Sequence, residues 1–111
     1  MSTDRIRRRL NDHARSGAEA RYLTEKGRDA YLADTMDGAL LRNAGERILT
    51  KVATVAEKLP DDVKAQHAGV DWIGISRMRN LVAHHYDKIN AELLWQTLTV
   101  RIPNLVRDLR S

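Results

Sequence analysis

The stretch Arg79-Asn80-Leu81-Val82-Ala83-His84-His85-Tyr86 puts a guanidinium, an amide, an imidazole and a phenol close together in the chain. At about 100° per residue, a helix sets Tyr86 roughly 20° from Arg79, Ala83 about 40°, Asp87 about 80°, Asn80 about 100° and His84 about 140°. Ile75, Met78, Leu81, Val82 and His85 fall mostly on the other side. One face can then pack into a core while the other presents Arg79, Asn80, His84 and Tyr86 to a cleft or a partner. The two histidines diverge, and His84 is aimed with the arginine.

Such a set could cut a phosphodiester bond in RNA without a metal. That reaction needs a base to draw the proton from the ribose 2′-OH, an acid for the leaving 5′ oxygen, and a cation for the charge that develops on the phosphorane. His84 carries the group on this arc whose ordinary pKa lies near neutrality. Arg79 stays charged and can hold a phosphate at two points. Asn80, one turn before His84, can orient the imidazole or donate to the phosphate. Arg, Asn and His on an exposed helix face more often serve in solvation or ion pairs, so residue types alone argue weakly for catalysis. His85 reads as structural, since it lies among Met78, Leu81 and Val82. His13 and His67 have no partner pattern. Adjacent histidines on a helix diverge, and no carboxylate–histidine spacing surrounds His84 and His85, which speaks against a metal site.

The elements that must position this arc are helical. Pro60 and Pro103 are the two prolines of 111 residues, and helical spacing recurs throughout, so the fold class is all-α. Thr3 or Asp4 can cap a first helix to about Leu23, and Asp29–Asp34 reads as a short second one. Thr35 or Asp37 opens a long helix that turns Leu40, Leu41, Ala44, Ile48, Val52, Val55, Ala56 and Leu59 inward and stops at Pro60. A short turn through Val63 and Ala65 follows. Asp71 caps the motif helix, which should stop near Asp87 to Ile89. A last helix from Asn90 carries Leu93, Leu94, Leu98, Ile102, Leu105, Val106 and Leu109 inward, with a bend before Pro103. Short connections make neighbours antiparallel, giving an up-and-down four-helix bundle with short extra helical turns in a single domain, 1–111. Trp72 and Trp95 stand among aliphatics and read as packing anchors rather than base-stacking platforms.

Composition narrows the classes further. There is no cysteine, which excludes disulfides and thiolate chemistry and fits a reducing compartment. No window of about 18 uncharged apolar residues could span a bilayer, and Arg5, Arg7, Arg8 and Arg9 are not followed by the apolar run of a secretory signal, so a cytoplasmic location is expected. A net charge of +4 and a pI near 9.8 are compatible with an anionic partner.

Arg79, four residues, His84, one residue and Tyr86 resemble the Arg-x4-His-x-Tyr signature of HEPN proteins, specifically the HepT-like ribonuclease toxins of toxin–antitoxin pairs. Asp71-Trp72-Ile73-Gly74-Ile75 is similar to the segment leading into that motif. Asp87-Lys88-Ile89-Asn90, Leu94-Trp95 and Ile102-Pro103-Asn104-Leu105 are similar to the one leaving it. The likeness runs from about Leu59 to the end. Upstream it is looser, with Tyr31-Leu32-Ala33-Asp34 and Leu40-Leu41-Arg42-Asn43 at family-like positions. Gly45-Glu46 is a shifted candidate for the family's Gly-Glu pair, and Ala53-Thr54 occupy the expected spacing.

The resemblance implies a HEPN-like bundle whose motif helices pair across a homodimer, with both copies of Arg79 and His84 lining one cleft and Asn80 in support. It implies RNA, tRNA or mRNA, as substrate, with no cofactor and no metal. It also implies a cognate minimal nucleotidyltransferase antitoxin that adenylylates Tyr86, with the homodimer able to enter a larger hetero-oligomer. The alternative, also known for HEPN domains, is a non-enzymatic helical module that binds a nucleotide or a nucleotidyltransferase partner.

Overall fold

The computed structural model describes the backbone of residues 3–82 and 88–110, and the side chains of these except 78–82, 88–90 and 110. All regular elements among the described residues are helical: α1 (Thr3–Thr24), α2 (Arg28–Leu32), α3 (Met36–Lys58), α4 (Asp61–Gln66), α5 (Trp72–Val82), α6 (Lys88–Gln96) and α7 (Ile102–Arg110). A π-helical turn, Thr97–Arg101, joins α6 to α7, so they form one long helix. The architecture is the expected all-α bundle, with α1, α3, α5 and the α6–α7 helix as its four long members. Among the described residues no helix is long and apolar enough to cross a membrane.

The helix boundaries have local causes. Gly27 opens α2 with φ at 96°, a region that side chains disfavour. Thr35 caps α3, its hydroxyl accepting from the Gly38 N–H at 3.0 Å. Pro60 follows the end of α3 and stands at the start of α4. Pro103 cannot donate to the preceding turn, and there the α6–α7 helix widens: the Ile102 N–H reaches the Thr97 carbonyl, five residues back. The bend expected before Pro103 is this π turn.

α3 runs through the centre, packed on α1, α2, α5 and α6, while α7 lies against α1. Tyr31, Leu49, Val52, Leu94, Leu98 and Ile102 form the most deeply buried part of the core. Trp95 stacks at a tilt on Tyr31, centroids 5.2 Å apart, and Trp72 packs half-buried against the same core, so both tryptophans are packing anchors.

Four sequence expectations need correction. The short second helix is Arg28–Leu32 rather than Asp29–Asp34, because Gly27 sets its start. The last helix already includes Lys88 and Ile89, ahead of Asn90. Leu93 is 43% exposed, because Ala91 and Leu94 in α6 and Leu98 in the π turn carry the inward side there. The inward face of α3 keeps the expected Ile48, Val52, Ala56 and Leu59, but Leu40 is 60% exposed and Ala44 is exposed, whereas Gly45, Leu49 and Ala53 are also buried. At Gly45 a Cβ would meet the Tyr31 hydroxyl and Leu98 Cδ1 at 2.9 Å, so the glycine lets Tyr31 and the last helix approach the α3 backbone on that side, while Ala44 next to it points outward.

Candidate active site

The motif helix α5 is fixed at its start. The Asp71 carboxylate accepts from the Gly74 N–H at 2.9 Å, the N-cap expected of it. The Trp72 indole N–H reaches the Lys64 and His67 carbonyls, each at 3.2 Å, and ties α5 to the end of α4. Ile75 is 4% exposed and faces the core, with α3 as the main neighbour of α5. Ile73, Ser76 and Arg77 are exposed on the other side.

Arg79 and Asn80 belong to the described backbone of α5, although their side chains lie outside the description. By register Asn80 comes one turn after Ser76 and Arg77, on the exposed side. Arg79 comes one turn after Ile75 and Ser76, at the border between buried and exposed sides. His84 and Tyr86 lie outside the described residues, as do His85 and the expected end of the motif helix. Among the described residues no group of three or more His, Cys, Asp and Glu side chains is placed to hold a metal ion.

Beside the start of α5 a recess of about 200 Å³ opens between Asp71, Ile75 and the α7 side, where Arg101, Asn104, Leu105 and Asp108 line it. The last helix thus contributes polar groups next to the motif helix. Arg42 and Tyr31, at family-like positions, are structural: Arg42 Nη1 donates to the Tyr31 and Ala33 carbonyls, each at 2.8 Å, and holds α2 against α3. Gly45 has the packing role described above, and burial with the nearby Glu46 carboxylate pushes the Tyr31 phenol well above its ordinary pKa.

His13 had no evident role in the sequence, yet it is 1% exposed, and burial pushes its imidazole down to about 4 against the opposing pull of Asp12. The signal was the run of small residues on the same face of α1, Gly17 and Ala20, which marks a helix packed close to a neighbour.

The family described as Ribonuclease HepT-like matches residues 8–111, a span that includes every element of the motif and its supports. The chain belongs to the HepT-like ribonuclease family. Ribonuclease activity follows from that membership. The family match covers α1 to α7 nearly whole, further than the stretch from about Leu59 that carries the motif and its flanks. Among its relatives, a protein of Caldanaerobacter subterraneus subsp. tengcongensis named as an RNase is 26% identical over 93 residues, 84% of this chain and 83% of that protein. A protein of Thermococcus cleftensis with a ribonuclease HepT name is 28% identical over 101 residues, 90% of this chain and 92% of its own. An RNase-named protein of Methanocaldococcus jannaschii is 30% identical over 65 residues, 59% of this chain and 54% of its own. No solved structure matches the chain significantly.

Proposed function

We propose that this single-domain chain is the metal-independent endoribonuclease toxin of a toxin–antitoxin pair, acting in the cytoplasm on tRNA or mRNA. The observation that carries the reading is the HepT-like match over residues 8–111, which spans Arg79-x4-His84-x-Tyr86 on and after a helix with one side free of the core. The 2′ oxygen, deprotonated by one His84, attacks phosphorus. The P–O5′ bond breaks as the second His84 of a homodimer protonates the leaving oxygen, leaving a 2′,3′-cyclic phosphate and a 5′-hydroxyl. Arg79 grips the phosphate and balances the charge of the phosphorane, and Asn80 steadies the imidazole. The exposed side of α5 includes Ile73, 67% exposed, an apolar residue suited to cover by a second copy beside the catalytic arc.

Replacing His84 with Ala should abolish cleavage of RNA while the melting temperature stays, because a group working on substrate carries little of the core. Cleavage by the native chain should persist in EDTA. A His84→Ala protein that cuts at the native rate, or a requirement for Mg²⁺ or Mn²⁺, would overturn the assignment.

The neutralising partner in this reading is a minimal nucleotidyltransferase that transfers AMP to the Tyr86 phenol, with release of pyrophosphate from ATP. If the helical turn continued to Tyr86, a nucleotide there would put a bulky anion about two turns from Arg79 and on the same side, where it would pair with the guanidinium and block the substrate. Intact mass should show one AMP added and cleavage lost together, and Tyr86→Phe should escape both. Inhibition with no gain of mass would remove the tyrosine switch.

A further inference from the structure

Away from the motif helix, α1 and α3 enclose an open groove of about 580 Å³. Its floor is aliphatic: Leu23 and Ile48 are buried beneath it, with Leu41 half-buried and Ala44 exposed along it. Its rim is cationic, with Arg15 from α1, Lys26 from the turn after it, and Arg47 and Lys51 from α3. Lys51 is engaged by Glu19 at 2.5 Å, an ion pair that ties the two helices together. Arg15 and Arg47, both exposed, have no ion-pair partner among the described residues. They also line the recess that continues the groove past Ser16 toward Thr54 and Val55. At the other end Tyr22 is 67% exposed, with Lys26 Nζ 4.6 Å over its ring. Leu40 and Met36, 60% and 77% exposed, carry the apolar stripe one and two turns further along α3 from Ala44.

A surface with an aliphatic floor and exposed guanidinium groups on its edge selects among occupants. A second copy of this chain brings the same cations, at a net charge of +4, against them. A strand of RNA would meet the charges, but it would find one aromatic side chain, Tyr22, and an aliphatic floor that offers no stacking. We propose that this groove is the docking site of an acidic amphipathic helix from a partner protein, which lays leucine-like side chains on Leu41, Ala44 and Ile48 and places carboxylates against Arg15 and Arg47. From Arg15 to the end of α1 at Thr24 is about 13 Å, two and a half turns, which matches anchors at i, i+3/i+4 and i+7 on such a helix. The proposal is independent of how the motif helix works, since none of these residues belongs to it.

The test uses the full chain and a fluorescent synthetic peptide of about 15 residues, leucines at that spacing and glutamates around them, read by anisotropy. A peptide with lysines in place of the glutamates and a short oligouridylate are the comparison probes. The double variant Arg15→Glu, Arg47→Glu inverts the rim, and Ala44→Trp fills the floor. Both change outward positions, and circular dichroism melts check the fold. The glutamate peptide should bind, more weakly as salt rises, and each variant should weaken it by about tenfold or more, while RNA cleavage persists and the lysine peptide does not bind. No binding of the glutamate peptide, or binding that both variants leave intact, overturns the proposal. So does loss of oligouridylate affinity in the double variant with peptide affinity unchanged, which makes the groove an RNA track. A change of sedimentation in that variant without peptide gives the face to a second copy.

Discussion

The side chain of His13 shares a recess with Leu10, Val106 and Leu109, and neither ring nitrogen has a hydrogen-bond partner among the described residues. Burial disfavours the imidazolium, and the nearby Asp12 carboxylate offsets only part of that, so the folded chain holds this group down at about 4. Above the ordinary value of 6.5 both folded and unfolded chains carry it neutral, and pH has no lever through it. Below that, the unfolded chain takes up the proton first, so stability should drain away as pH falls from 6.5 toward 4, by about 1–3 kcal/mol at most. Thermal melts across that window should show the loss, and His13→Leu should flatten it; an equal slope in both proteins would assign the acid sensitivity to carboxylates. The residue scale is where the sequence was most ambiguous. Arg79 and His84 stood out because their chemistry pairs within one helical stretch, whereas the state of His13 depends on α7, more than ninety positions later, which local spacing cannot reveal.

At the scale of elements, the caps and breakers were legible: Thr35, Pro60, Asp71 and the disturbance ahead of Pro103 each act through a backbone donor or a missing one, a local matter. The facing of the first half of α3 was not, because counting apolar side chains favours Leu40 and Ala44 and gives no weight to a glycine. At Gly45 the Tyr31 ring and Leu98 occupy the space a side chain would take. Two effects compete there. Replacing a helical glycine returns up to about 1 kcal/mol of helix propensity, while forcing atoms into a filled contact costs about 1–3 kcal/mol. For Ala the two nearly cancel if the flexible end of Leu98 gives way. For Val the added methyl groups press on the ring of Tyr31, which Trp95 backs. Gly45→Val should therefore lower stability by about 1–3 kcal/mol, and Gly45→Ala by distinctly less, in denaturant melts. A valine variant as stable as the native chain would mean that Tyr31 is free to move.

For the whole molecule, the all-α bundle follows from short connections between amphipathic helices, and the elongated shape, 44 × 23 × 20 Å, leaves α5 with one side on α3 and the other open. One chain supplies one His84, and the proposed reaction asks for an acid and a base at once. Two-fold symmetry gives both from one position, since a contact of α5 with its own copy repeats each group across the axis. The consequence is quantitative. If each site draws one His84 from each chain, mixing native chains with an equal amount of His84→Ala chains leaves about one quarter of randomly paired dimers intact, so activity per native chain should fall to about half. If each chain held its own site, activity per native chain would not change on mixing. Subunit exchange must be complete for the difference to appear, which a label on one partner and a size-resolved pull-down can establish before RNA is added. Activity that tracks native chain alone, in samples shown to contain mixed dimers, would confine the acid and the base to a single chain and call for a partner to His84 within it.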